Sequence, residues 1–364
     1  MYGSKLYISR SALSHNIDYY RNLIGNSTKL LVNLKGNAYG HGAILIGKYL
    51  DEDPRVDYFG VAFGVEGVEL REHGIKKPVL VYQPPLEWNE FPFDLHLEPV
   101  LASVDSIKSI ISYLKDKKIN QYPVHIKIDT GMHRSGIMPE EVHSALALLS
   151  STPVLKPLSV FSHLAAAEDP DEDDFTRHQA RVFERYSRNF KEKFPGIILH
   201  IGKSASLARM PELNMDMVRP GFGIWGYSDD PEERKKLRPI GEWKSFITQI
   251  RRIKAGETVG YNRLYKTPED TKIALIPVGY ADGYLWNLKN KSYVNILGKN
   301  YPVVGKVSMD MLTVDIGDAP LKIGDEVVLM GKNPDIYKLA EWAETIPYVI
   351  STRINKRVER VMID

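Results

Sequence analysis

Cysteine is absent from the 364-residue sequence. That excludes disulfides, a thiolate nucleophile, Cys-ligated zinc and Cys-held iron–sulfur clusters. Net charge is also nearly absent: 48 Lys+Arg against 46 Asp+Glu leave a formal +2. Such a balance offers no broad field for nucleic acid or an anionic membrane, and neither is expected as a partner. No run approaches the ~18–20 apolar residues of a membrane helix. The opening MYGSKLYISRSALSHN lacks the apolar core of a secretory signal, so the cytoplasm is the expected location. Low-complexity tracts are missing as well.

What is present is an ordinary globular composition, 43% hydrophobic and 26% charged, which excludes wholesale disorder. The length suggests two domains. Ser11 ahead of ALSHNIDYYRNLI predicts that the chain opens with a helix. Eight short apolar runs follow: KLLVN, YFGVAFG, PVLVY, EPVLAS, VHIKID, LSVFSHL, ILHIG and MVRPG. Separated by helical or polar stretches, they read as repeated βα units, thin at the third and seventh crossovers. The expectation is a (β/α)8 TIM-like barrel over residues 1–235, with its site where the strands end. Beyond residue 235, apolar–polar alternation between Gly, Asn and Asp turns predicts a mostly β domain over 236–364. Within it, DIYKLAEWAET is expected to be a lone helix before two last strands, YVISTRI and RVERVMI. The charged SDDPEERKKLRP (228–239) reads as a solvated linker.

Polar residues on inward strand faces are the first pointer to chemistry. In VHIKID, alternation sets His125, Lys127 and Asp129 opposite Val124, Ile126 and Ile128; Leu31, Asn33 and Lys35 share another face. A barrel interior serving only packing would be branched aliphatics. Lys35 ends a strand and runs directly into GNAYGHG, where Gly40 and Gly42 permit close backbone approach. Desolvation there would depress the ammonium pKa and expose an amine able to attack a carbonyl.

LKGNAYGHG (34–42) resembles the lysine signature of alanine racemases, pyridoxal 5′-phosphate enzymes with a barrel followed by a β domain. KIDTGMHRSG (127–136), VRPG (218–221), GYNRLY (260–265), VGYADG (278–283) and GKVSMD (305–310) recur in the family's order, so the resemblance spans nearly the whole chain. It implies that Lys35 forms a Schiff base with the cofactor and is the base on one face of the substrate Cα. Tyr261 would be the opposite base, supplied by the partner subunit of a homodimer with shared sites. A phenol, with a pKa near ~10, is a poor base at neutral pH unless positive charge or hydrogen bonds favour the phenolate. Arg219 would face the pyridine nitrogen, to which an arginine can only donate. Tyr39, Ser204 and the amides of Gly221 and Phe222 would hold the phosphate, and His163 would lie against the ring. Arg134, Met309 and Tyr280 would serve the substrate, a small amino acid. Lys127 would be a candidate for carbamylation that fixes Arg134. No metal is implied.

Four positions depart from the family pattern: Thr352 where a tyrosine is common, Lys203 where asparagine is common, and Trp286 and Lys306 where arginines are frequent. The activity implied is interconversion of L- and D-alanine, supplying D-alanine for peptidoglycan. A serine, lysine or broad-specificity racemase is the nearest alternative. A non-catalytic carrier of the same cofactor would lack the β domain, and related decarboxylases use a cysteine where Tyr261 stands.

Overall fold

The computed structural model describes residues 3–364. Strand β1 (Lys5–Ser9) runs straight into a 15-residue helix, Arg10–Ile24. Eight strands follow: β2 (Lys29–Asn33), β3 (Tyr58–Phe63), β4 (Val79–Gln83), β5 (Leu97–Leu101), β6 (Tyr122–Lys127), β7 (Leu155–Phe161), β8 (Ile198–His200) and β9 (Met217–Val218). They coincide with the eight apolar runs and pair in parallel in the order β8-β7-β6-β5-β4-β3-β2-β9. A parallel bridge between Lys203 and Arg219 links the continuations of β8 and β9 and brings the ring to near closure. The fold is thus the expected parallel barrel, followed by a mostly β region.

The barrel is filled by one side chain from most of its strands: Leu31, Tyr58, Leu80, Val100, Phe161 and Met217. Each such burial contributes about 1.5–3 kcal/mol. Because helices cover the outside, the alternate residues Val32, Phe59, Val79 and Val81 are buried too. The third crossover carries no α-helix, only short turns at Trp88–Glu90 and Phe93–Leu95. The rings of Trp88, Phe91, Phe93 and Tyr122 pack edge-on there and cover the sheet in a helix's place.

The chain divides into two compact units. One comprises Ser14–Ala38 and Ile46–Arg238 and holds the barrel; the other comprises residues 3–13, Tyr39–Leu45 and Pro239–Asp364. The second contains β10 (Gly241–Phe246), β11 (Gln249–Ile253), β12 (Thr258–Val259), β13 (Tyr265–Lys266), β14 (Thr271–Ile276), β15 (Tyr293–Ile296), β16 (Lys299–Pro302), β17 (Leu312–Gly317), β18 (Glu326–Met330) and β19 (Glu359–Ile363). A six-stranded sheet runs β16-β15-β18-β10-β1-β19, beside a three-stranded sheet β11-β14-β17 and the ribbon β12-β13.

Three local expectations are corrected. The chain does not open with a helix: β1 comes first, burying Leu6 and Ile8, antiparallel to β10 and parallel to β19. Residues 3–13 therefore belong with the β unit and not with the barrel. YVISTRI is not a strand but most of a second helix, Pro347–Arg353. Its β-branched residues suggest a strand, yet Pro347 sits at the helix start, where its missing N–H costs nothing. The segment 228–239 is not merely solvated. Asp230 caps a short helix, Pro231–Arg234, and Glu233 is buried, accepting hydrogen bonds from Tyr20 Oη (3.1 Å) and Ser228 Oγ (2.6 Å).

Candidate active site

Lys35 follows β2 at the C-terminal end of the barrel strands. Two residues earlier, Asn33 accepts from Tyr82 Oη (2.9 Å), and Lys35 Nζ lies 5.5 Å from the centre of the Tyr82 ring. Burial first, then the Arg134 charge, holds the Lys35 amine below the ordinary lysine range; Glu66 opposes them and Arg219 adds to them. The backbone beyond is a left-handed turn, with φ of 60°, 55° and 52° at Gly36, Asn37 and Ala38. Tyr39 continues it at φ 53°. For residues other than glycine this conformation costs roughly 1–2 kcal/mol each. Within the barrel unit the turn is held by Gly36 N–H donating to Glu66 Oε1 and Ala38 N–H to the Leu34 carbonyl, both at 2.7 Å. Glu66 Oε2 meanwhile accepts from the amides of Ala62 and Phe63. Gly40 is required: at φ 89° an added Cβ would lie 1.9 Å from the Ser351 carbonyl oxygen.

Lys35 is one of four mutually interacting cations in the barrel unit. Lys127, on the inward face of β6, is lowered to about 8 by burial and then by the charges of Arg134 and Arg219. Asp129 offsets part of this, and its own carboxylate is kept ionised by the amides of Gly131 (2.9 Å) and His133 (3.0 Å), from which it accepts. Arg219 is buried; Nη1 donates to His200 Nδ1 (2.5 Å) and Nη2 to the carbonyl of Ser162 (2.6 Å). Its Nε–H has no acceptor among the described residues. Burial and the Arg219 charge also keep His163 well below the ordinary histidine range, so that imidazole is neutral.

Ser204 starts the helix Ser204–Arg209, whose cap position is Lys203 and not Ser204. Ser204 Oγ accepts from Gly221 N–H at 2.7 Å, which brings together two of the expected phosphate ligands and engages that amide. Phe222 is buried beside Tyr227. The extra charge expected of Lys203 is paired with Glu168.

In the β unit, the amides of Tyr280 and Ala281 donate to the carbonyls of Ser308 and Met309, both at 3.0 Å. That join needs Gly279, where a Cβ would lie 2.3 Å from either carbonyl oxygen. Tyr280 and Met309 therefore share one surface. Tyr261 stands on a separate turn and is 69% exposed. The Tyr39 ring lies 6.2 Å from that of Tyr348. Thr352 turns its hydroxyl onto the Tyr348 carbonyl (2.7 Å). Sequence reading overlooked Tyr82, Glu66 and His200. The inward alternation of Leu80 and Tyr82 was the available signal for the first; nothing local marks the other two.

The barrel unit fits an anionic carbonyl compound such as pyridoxal phosphate. It offers a desolvated amine, a surplus of positive charge and an unengaged arginine N–H. Fold and site together define a parallel barrel with a partly buried lysine of lowered pKa at its mouth, joined to a β region. Sequence models described as alanine racemase N-terminal and C-terminal domains match residues 8–229 and 240–362. An alanine racemase of Cutibacterium acnes is 33% identical, covering 98% of this chain and 96% of the relative. A solved Clostridium difficile alanine racemase superposes with a TM-score of 0.93 at 31% identity, covering 100% of this chain and 96% of that one. A Bartonella henselae alanine racemase structure, described as having covalently bound pyridoxal phosphate, gives a TM-score of 0.88 at 27% identity over 100% of both chains. The chain belongs to the alanine racemase family.

Proposed function

We propose that the protein interconverts L- and D-alanine with pyridoxal 5′-phosphate, as an isomerase supplying D-alanine for peptidoglycan. The observation that carries this reading is the depressed amine of Lys35 at the barrel mouth, among Lys127, Arg134 and Arg219. When bound, the cofactor supplies an electron sink that eases removal of the Cα proton. Lys35 would hold it covalently, and its Nζ would move a proton at Cα from one face. Tyr261 Oη, from a second copy of the chain, would move a proton at the other face. Arg219 would donate to the ring nitrogen, which an arginine cannot protonate. His163, neutral, would lie against the ring. Ser204, Tyr39, Gly221 and Phe222 would hold the phosphate. Arg134, Met309 and Tyr280 would orient the substrate carboxylate, and Lys127, in its neutral form, could take up carbon dioxide and pair with Arg134.

A homodimer is supported by the surface of the β unit. Tyr261, Leu264, Tyr280, Trp286 and Met309 are all exposed there, large apolar side chains that a second copy of the chain would cover. Among the described residues no helix is long and apolar enough to cross a membrane.

The test is a stereospecific assay across a panel of amino acids alongside a cofactor spectrum. Alanine should be turned over fastest; faster serine or lysine would move the assignment to a broader racemase. Lys35→Ala should abolish the near-visible band of lysine-bound cofactor and racemisation together. Survival of both would refute the reading.

A further inference from the structure

A line of buried side chains leads from Arg219 through the barrel interior to Glu98 on β5. Arg219 Nη1 is 2.5 Å from His200 Nδ1; His200 Nε2 is 2.9 Å from Ser159 Oγ. Ser159 Oγ is 2.6 Å from His125 Nδ1, and His125 Nε2 is 2.8 Å from Glu98 Oε2. His125, Ser159 and His200 are fully buried, and Arg219 and Glu98 nearly so.

The proton positions along this line follow from one fact. A guanidinium can only donate, so His200 Nδ1 must accept and the His200 proton resides on Nε2. That N–H donates to Ser159 Oγ, which leaves the single hydroxyl proton of Ser159 for His125 Nδ1. The His125 proton is then on Nε2 and donates to the Glu98 carboxylate. Every hydrogen bond points from the cation to the anion, and neither imidazole needs a charge. Reversing the direction would set N–H against N–H at Arg219 and a lone pair against a carboxylate at Glu98. Burial and the Arg219 charge independently disfavour an imidazolium at His200.

We propose that Glu98 is a positioning residue for the reaction: acting through His125, Ser159 and His200, it fixes the orientation of the Arg219 guanidinium and supplies its remote counter-charge. This rests on Arg219 facing the cofactor ring. The guanidinium is held on one side by this line and on the other by the carbonyl of Ser162, with Phe161 5.0 Å away across its face. If the line is broken at its far end, the His125 proton can transfer to the other ring nitrogen. Ser159 Oγ then faces two N–H donors and its own hydroxyl proton loses its acceptor, while Arg219 still holds His200 with its proton on Nε2.

The experiment is 15N NMR of the histidines in the cofactor-loaded full-length protein, combined with kinetics. Wild type should show His125 and His200 neutral and protonated on Nε2. An imidazolium, or a proton on Nδ1 of either ring, would overturn the inference. Glu98→Leu should mix the tautomers of His125, leave His200 protonated on Nε2, and lower kcat about tenfold, the scale of outer-shell losses, with little change in KM for alanine. Glu98→Gln retains an acceptor and should recover the wild-type tautomers and most of kcat. Should Glu98→Leu not fold, Ser159→Ala cuts the line at its middle: kcat should fall to a similar extent while both rings keep the proton on Nε2, His125 through Glu98 and His200 through Arg219. A folded Glu98→Leu with unchanged kcat and an unchanged His125 tautomer, or a folded Ser159→Ala with unchanged kcat, would refute the role of Glu98. The premise is tested separately by Arg219→Lys, which should move the near-visible cofactor band; an unmoved band with intact histidine tautomers would fault the placement of Arg219 and not the proton order.

Discussion

Lys127 gives the sharpest quantitative test of the crowded barrel mouth. Its ammonium is lowered from 10.5 to about 8, chiefly by burial and then by Arg134 and Arg219. A depression of that size corresponds to roughly 3 kcal/mol against the charged form, or about 2 kcal/mol once partial contact with water is allowed for. The sign follows from linkage: a lysine whose pKa is lower folded than unfolded binds fewer protons when folded between those values. Folding stability should therefore rise as pH increases through about 8 toward the unfolded value, and below pH 8 the folded state bears the full cost. Lys127→Met keeps the aliphatic stem and deletes the ammonium. In carbon-dioxide-free buffer at neutral pH the variant should be more stable than wild type by about 2 kcal/mol, and the gap should close near pH ~10.5. Urea unfolding of both proteins across that range measures the difference, in which titrations of groups not coupled to Lys127 cancel. Bicarbonate should narrow the gap at pH 8, because a carbamate replaces the unfavourable cation with an anion beside Arg134. A gap that ignores pH, or a variant less stable at neutral pH, would refute the reasoning.

Other perturbations have equally definite outcomes. Tyr261→Phe should retain the cofactor band yet abolish turnover in at least one direction, and wild-type racemisation by this variant would reassign the second base. Glu168→Gln should release the Lys203 ammonium from its partner and tighten retention of the phosphate-bearing cofactor severalfold, measured by equilibrium dialysis; unchanged retention would show that Lys203 has no influence there. Arg360 is a half-buried cation, lowered by burial to about 10, that donates to the carbonyls of Gly40, Ile354, Asn355 and Val358. Arg360→Met leaves several carbonyls unsatisfied and should cost on the order of 3 kcal/mol in urea unfolding, whereas a loss below about 1 kcal/mol would mean that water replaces the guanidinium.

The barrel was legible because parallel strands buried on both faces produce short continuous apolar runs, and each of the eight runs lies on a strand. The β region was legible from alternation, except where alternation misleads. Val349, Ile350 and Thr352 are β-branched, but Pro347 and the left-handed Glu344 at φ 56° set a helix stop and a fresh start just ahead of them. Strand β1 was obscured because KLYIS has no turn after it; Ser9 Oγ accepts from Ala12 N–H and begins the helix at once. Lys35, Lys127 and Arg219 stood out as polar residues at strand ends. Their relations to Glu66, His200 and Glu98 did not, because His200 and Glu98 come from other strands and Glu66 from the helix Gly64–Glu72, and they become neighbours only when the chain folds.

Those partners also explain why the barrel mouth calls for an anion. Three acids accompany the four cations, and each is already engaged. Glu66 accepts from three backbone amides, Asp129 from two, and Glu98 ends a line of hydrogen bonds that begins at Arg219. Glu66 and Asp129 oppose the depression of Lys35 and Lys127 without cancelling it. Burial is the larger cause of the depressed lysines and the neighbouring cations the next, and a bound phosphate or carboxylate would relieve the second. In the proposed function the surplus that would draw an anionic cofactor also helps lower the Lys35 amine toward its reactive neutral form, so affinity and nucleophilicity would share one arrangement of charge.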